Sequence, residues 1–254
     1  AESLRNLVRY RKSLGEDMTR LKNKVHAILS KYGIHINATD IFGKKGLKEI
    51  EKVSSILSFE DKFVLNDLLL RINDLKARES MVEEEISKLV ENNDKVRLLM
   101  TIPGINVYSA CAILAEIDDI SRFPTKEHLA SYAGLVPRQD QSGDRDIRGH
   151  ISKHEPSTLR FIMVNAAHNV IKFSKRMRNK YLSLVRRIGK KRAIVAIGRI
   201  LLEKIFIMLK KGEEFIDNID TLTERKIKTM EEKAKLAKRA VRSIDIQKTI
   251  KLIK

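Results

Sequence analysis

Two sets of apolar residues at heptad spacing limit what this chain can fold into more than any other feature. Leu7, Leu14, Leu21 and Ile28 stand seven apart, and Leu4, Met18 and Val25 form a companion row that Arg11 interrupts. A second set follows: Leu68, Leu75, Val82 and Leu89, beside Leu65, Ile72 and Ile86, broken by Glu79. A three-four spacing gathers side chains on one stripe of an α-helix, whereas a strand would scatter them over both faces. Each set covers about four heptads, a helix of roughly 40 Å at 1.5 Å per residue. Tyr32-Gly33 ends the first helix, and the polar stretch 37–54 reads as a loop and a short helix. Residues 1–95 are thus expected to form a long antiparallel helical hairpin, a coiled coil. It serves either as an intramolecular spacer or as a subunit-joining element.

Past residue 94 the heptads stop, and proline, glycine and small residues appear. Residues 96–220 read as a compact helical domain. Helix 107–117 is apolar nearly all round and so buried, and 126–133 is short. Pro156 starts a helix carrying Leu159, Ile162, Met163, Ala166 and Val170; a basic helix 175–188 ends at Gly189, and an apolar one over 193–209 stops at Gly212. Residues 221–254 form a basic C-terminal tail, with 11 Lys and Arg against 4 Asp and Glu. Its apolar periodicity, at Ile227, Met230, Ala234 and Ala237, is weak, and predicts a marginal helix that orders on binding. Only 11 Gly and 4 Pro in 254 residues, with 33% charged, favour a mainly α fold over strands and turns.

A net charge of +18 and a pI near 9.9 call for a polyanionic partner. Nucleic acid fits better than a membrane, because no run of about 18 apolar residues exists to span one. A purely structural helical protein has no use for such an excess. The N-terminus, AESLRNLVRYRK, has charges where a signal peptide has its apolar core, and the single Cys111 cannot form an internal disulfide. Both fit a reducing cytoplasm.

Two constellations carry chemistry. In LLMTIPGINVYSACAILAEI (98–117), Pro103-Gly104 joins two helices in a helix-hairpin-helix-like pattern. The N–H groups at the start of the second helix, around Pro103, Gly104, Ile105 and Asn106, would grip a DNA phosphate. Asn106 stands where a second glycine is usual and tolerates a left-handed backbone. The alternative is a plain Pro-Gly turn between packed helices. In GLVPRQDQSGDRDIRGHISKHEPSTLRF (134–161), Ser142 precedes Gly143 in a polar stretch, 137–155, that reads as an active loop or irregular hairpin, with Arg138, Arg145, Arg148, Lys153 and Arg160 around it. A serine among guanidinium groups suits attack on a phosphodiester, whose developing charge they stabilise; the alternative is a solvated loop serine. Arg148 is the arginine expected at the scissile phosphate, and Ser152 is expected to support the site or touch phosphate. No Cys/His cluster has zinc spacing, no glycine-rich nucleotide loop occurs, and no metal ligands are assigned. Glu116, Asp118 and Asp119 read as solvated acids near a helix end. The stretches KFSKRMRNK and RRIGKKR look like phosphate-binding surface.

The order of these segments resembles the C-terminal transposase domain of the insertion-sequence family one-hundred-and-ten, grouped with one-hundred-sixteen and nine-hundred-two. The matching pieces are IPGI at 102–105, ACAILAEIDDISRF at 110–123, LASYAGLVPRQDQSG at 129–143, RGHISKHEPSTLRFIMVNAAH at 148–168 and the stretch 189–215. The resemblance implies that Ser142, of the Ser-Gly pair, is a recombinase nucleophile. It also implies a preceding RNase H-like domain whose four acidic residues bind magnesium. Nothing in this sequence matches that domain, so the chain is expected to be a fragment, with no cofactor of its own. DNA, a structured guide RNA and a homo-oligomer, dimer or tetramer, are the partners implied. One departure is Glu155, where the family has glycine; a carboxylate there costs phosphate affinity. The expected function is a transposase fragment that cuts and rejoins DNA once an acidic domain is supplied. The alternative is a non-catalytic nucleic-acid-binding remnant.

Overall fold

The computed structural model describes residues 2–142, 145–151 and 157–240. Among them the chain forms ten α-helices and one two-stranded hairpin, a mainly α fold. It divides into two compact units, one made of Arg9–Glu83 and the other of the residues on either side. The division falls inside the two longest helices, whereas composition places the change of texture near residue 95.

In the first unit, α1 (Glu2–Lys31) and α3 (Phe59–Val90) are joined by α2 (Lys44–Val53). They run antiparallel: Arg11 ion-pairs with Glu79 at 2.9 Å and Glu83 at 2.8 Å, while Lys31 meets Asp61 at 2.6 Å. The two charges that interrupt the heptad rows thus satisfy each other. Met18, Leu21, Val25 and Leu29 of α1 form a core with Leu65, Leu68 and Ile72 of α3, closed by Phe42, Ile50 and Leu57 of the connection. Gly33, at φ +64°, ends α1, and the Ile34 N–H donates to the Leu29 carbonyl at 3.0 Å, as in a left-handed helix cap.

The buried rows depart from a strict heptad at their ends. Leu29 is buried and Ile28 only half-buried; Val90 is buried and Leu89 is 55% exposed. A helix of 3.6 residues per turn drifts about 20° per heptad, so the contact stripe moves to the next residue unless the helices supercoil.

The second unit is built around α9 (Lys190–Lys211), which buries Ile194, Ile197, Leu201, Leu202 and Ile205. Against it pack α4 (Asp94–Met100), α6 (Lys126–Tyr132), α7 (Ser157–Phe173) and α8 (Lys175–Ile188); α5 (Val107–Ile117) packs on α4 and α7. Gly198 lets α9 approach α7, since a Cβ there would stand 3.3 Å from the Met163 carbonyl oxygen. The expected basic tail is, over its first part, a packed helix, α10 (Asp220–Arg239), which buries Met230, Ala234 and Ala237. The helix contacts α4, and the side chains it buries are small or flexible, so a weak apolar periodicity is enough to seat it. Within the polar segment 137–155, expected as an active loop or irregular hairpin, β1 (Pro137–Ser142) and β2 (Arg145–Ile151) pair antiparallel.

Candidate functional site

The Pro103-Gly104 turn joins α4 to α5, and its shape is fixed from three sides. Gly104 takes φ +93°, where a side chain is strained, and an added Cβ would lie 2.5 Å from Cβ of Asn169 on α7. Asn106 is not left-handed; at φ −103° it is the N-cap of α5, its Oδ1 accepting the Ser109 N–H at 2.9 Å. Its short amide oxygen serves a helix end better than a bend. Lys226 of α10 closes the third side. Its ammonium donates to the carbonyls of Met100, of Ile102 at 3.0 Å and of Ile105 at 3.1 Å. Burial pushes its pKa down to about 8. Nothing in the tail's composition singles this lysine out, since it is one of eleven cations there. Of the four turn residues expected at a phosphate, Pro103 and Ile105 are buried, and Gly104 and Asn106 are exposed.

The hairpin carries the serine. Ser142 stands opposite Arg145, Gln141 opposite Asp146, Asp140 opposite Ile147 and Gln139 opposite Arg148, with the register slipping between Pro137 and Gln139, beside Arg138. Gly143, Ser152, Lys153 and Glu155 lie outside the described residues. Arg160, expected at DNA, is half-buried in the first turn of α7, and its guanidinium donates to the Gly134 carbonyl at 3.4 Å, ahead of the hairpin.

A third feature is the cation surface of α8 and the first turn of α9. Between Glu155 and Glu203 the sequence holds twelve Lys and Arg and no carboxylate side chain. Helix α8 rests on Met177, with Tyr181, Leu184 and Val185 half-buried. Exposed Arg176, Lys180 and Arg187 fall in one row along its flank by helical spacing. Past Gly189 (φ +79°), α9 opens with Lys190, Lys191 and Arg192, all exposed, at the end where the helix dipole is already positive. Arg178 differs from its neighbours: its guanidinium holds the Ile171 carbonyl at 2.9 Å, and that of Lys172, at the end of α7.

The acids after α5 have structural tasks. Asp118 ion-pairs with Arg5 at 3.3 Å. Asp119 accepts the Ser121 N–H at 2.9 Å and its hydroxyl, which hold its carboxyl below the usual range. Among the described residues no three His, Cys, Asp or Glu side chains converge as metal ligands. Cys111 is buried, and desolvation raises its thiol to about 12, leaving it unreactive at neutral pH. No helix among the described residues is long and apolar enough to cross a membrane.

Residues 96–182 match the family described as transposase IS116/IS110/IS902. The transposase for insertion sequence element IS1111A of Coxiella burnetii is 26% identical over 226 residues, covering 84% of this chain and 60% of that protein. A probable family 20 transposase of Pseudomonas aeruginosa is 26% identical over 173 residues, 67% of this chain and 51% of its own length. The pilin gene-inverting protein of Moraxella bovis is 33% identical over 141 residues, 49% of this chain and 40% of that protein. The chain spans about half the length of the curated relatives it matches.

Proposed function

The chain carries a transposase domain of the IS116/IS110/IS902 family, and from that premise we propose that it is the DNA-gripping, serine-bearing part of a strand-transfer enzyme. What supports the reading most is the exposed cations of α8 and the first turn of α9, stretches with no acidic residue of their own, which suit a phosphodiester backbone. The exposed Gly104 and Asn106 offer a second, smaller phosphate contact. In the proposed reaction Ser142 Oγ attacks phosphorus, the P–O3′ bond breaks, and a 5′-phosphoserine and a free 3′-hydroxyl result. The serine proton passes to a base, and the departing 3′ oxygen takes up a proton. Arg148 is assigned to the scissile phosphate, with Arg145 as a DNA contact. Magnesium would come with an acidic domain, and no step of this chain's own residues runs through it.

The test is covalent trapping on a nicked duplex, with the acidic domain of a full-length relative fused in front. Ser142→Ala should abolish the protein–DNA band on a denaturing gel while retaining duplex binding. Arg148→Ala should slow adduct formation and weaken binding together, because an arginine at the scissile phosphate acts in both ground and transition states. A band that persists in Ser142→Ala ends the nucleophile assignment. Retained binding with no adduct from any form would mark the chain as a binding remnant.

A further inference from the structure

The carbonyl oxygens of Met100, Ile102 and Ile105 converge at the end of α4, and the Lys226 ammonium fills the point where they meet. An ammonium has three protons, and here each has one oxygen. The cradle belongs to the fold of the turn itself. All three oxygens come from residues 100–105, a stretch folded back on itself by Gly104 at φ +93°. Met100, Ile102 and Ile105 are fully buried, so their oxygens depend on a partner from within the protein. Met100 is also the last residue of α4, where a helix leaves its carbonyls without an intrahelical donor and its dipole is negative. Lys226 lies on the side of α10 that buries Thr223, Met230, Ala234 and Ala237, none of them charged.

The donor set decides which ion suits the cradle. Hard divalent ions gather carboxylates, whereas carbonyl dipoles alone can replace the hydration shell of a monovalent ion. Nearby acids are engaged elsewhere: Glu231 pairs with Arg97 at 3.3 Å, and Glu91 with Lys238. The ammonium therefore keeps its positive charge, on the buried side of a turn whose outer side exposes Gly104 and Asn106. Helix α5 starts at the same place, and its N-terminal dipole has the same sign. We propose that the carbonyl cradle is a monovalent-cation site in which the Lys226 ammonium takes the place of a free potassium or ammonium ion, and that its charge helps to hold a phosphate on the outer side of the turn. The phosphate half rests on the reading of this turn as a DNA contact; the cation half does not.

The test is chemical rescue of the full chain at pH 7, in the chlorides of potassium, methylammonium and tetramethylammonium at equal ionic strength. Lys226→Ala opens the cradle, and Lys226→Met fills it with an uncharged chain of similar length. Lys226→Ala should melt below the wild type in tetramethylammonium, an ion too large for the cradle and without N–H protons. Potassium or methylammonium should restore much of that loss, and neither should help Lys226→Met. If Lys226→Ala is unfolded in tetramethylammonium, the same rescue is read as recovery of helical circular dichroism when potassium is added. No loss in Lys226→Ala, no recovery with either ion, or equal recovery by Lys226→Met would each overturn the cation site, whatever the chain does to DNA. Duplex affinity in the same salts tests the other half. Lys226→Ala should bind about two- to fivefold more weakly in tetramethylammonium, the weight of one charge at a helix terminus, and like the wild type in potassium. Wild-type affinity in every salt, with stability still rescued, would overturn the phosphate half and take the turn out of the DNA interface, leaving the cations of α8 and α9 as its basis.

Discussion

Lys226 shows how one side chain can decide a turn without entering it. A charged ammonium in a partly buried position is destabilising unless its protons find acceptors, and three backbone carbonyls supply them. Its folded pKa, about 8, lies below the 10.5 of a free lysine, so between those values the unfolded chain holds the extra proton. Stability should therefore rise with pH across that window, relative to Lys226→Met, in which the slope disappears. Thermal melts of both proteins from pH 7 to 10.5 measure it; parallel curves would mean that the ammonium is as well solvated as in the open chain. Gly104 was legible beforehand as a turn residue, from Pro103-Gly104 alone. Lys226 was not, since nothing in its own neighbourhood marks it off from the lysines around it.

At the level of elements, the helices could be read because their apolar spacing is long and regular, and α8 begins and ends where the basic helix was expected. Even the interruptions carried information. Arg11 and Glu79, one in each row, are partners, as a charge inside an apolar stripe must be. The segment 137–155 could be read only as a loop or an irregular hairpin, without strand bounds or register. Its residues, PRQDQS and RDIRGHI, are polar on both faces and offer no alternation. Gly198 makes the contact of α7 with α9 testable. Gly198→Ala gains about 1 kcal/mol of helix propensity and meets one tight oxygen, so it should be near neutral. Gly198→Val forces a branched side chain against the Met163 carbonyl and should cost about 1–3 kcal/mol, read from urea denaturation. Equal stabilities would show that the two helices can separate freely.

Over the whole molecule, composition gives a charge of +18 but not where it sits. Helix α10 carries more cations than acids and still packs as a structural element, while α8 and the first turn of α9 have cations and no acid of their own. Neutralising Arg176, Lys180 and Arg187 together as glutamines should weaken duplex binding and reduce the slope of log K against log salt by about 2.7, at roughly 0.9 per phosphate contact. The same loss of charge at Lys228, Lys235 and Arg239 of α10 should leave the slope almost unchanged. Fluorescence anisotropy titrations over a salt series distinguish the two, and an equal effect would mean a diffuse cloud of charge rather than a gripping surface. The candidate serine could be read only through resemblance, since a lone Ser-Gly is chemically anonymous. The clamp of Lys226 on the α4–α5 turn also puts that turn on a clock. The lysine follows Ile105 by 121 residues, which a ribosome adds in roughly 6–24 s at about 5–20 residues per second. For that interval the nascent chain has made its Pro-Gly turn but not the cation that locks it, so the turn matures only after nearly all of its own domain has been translated.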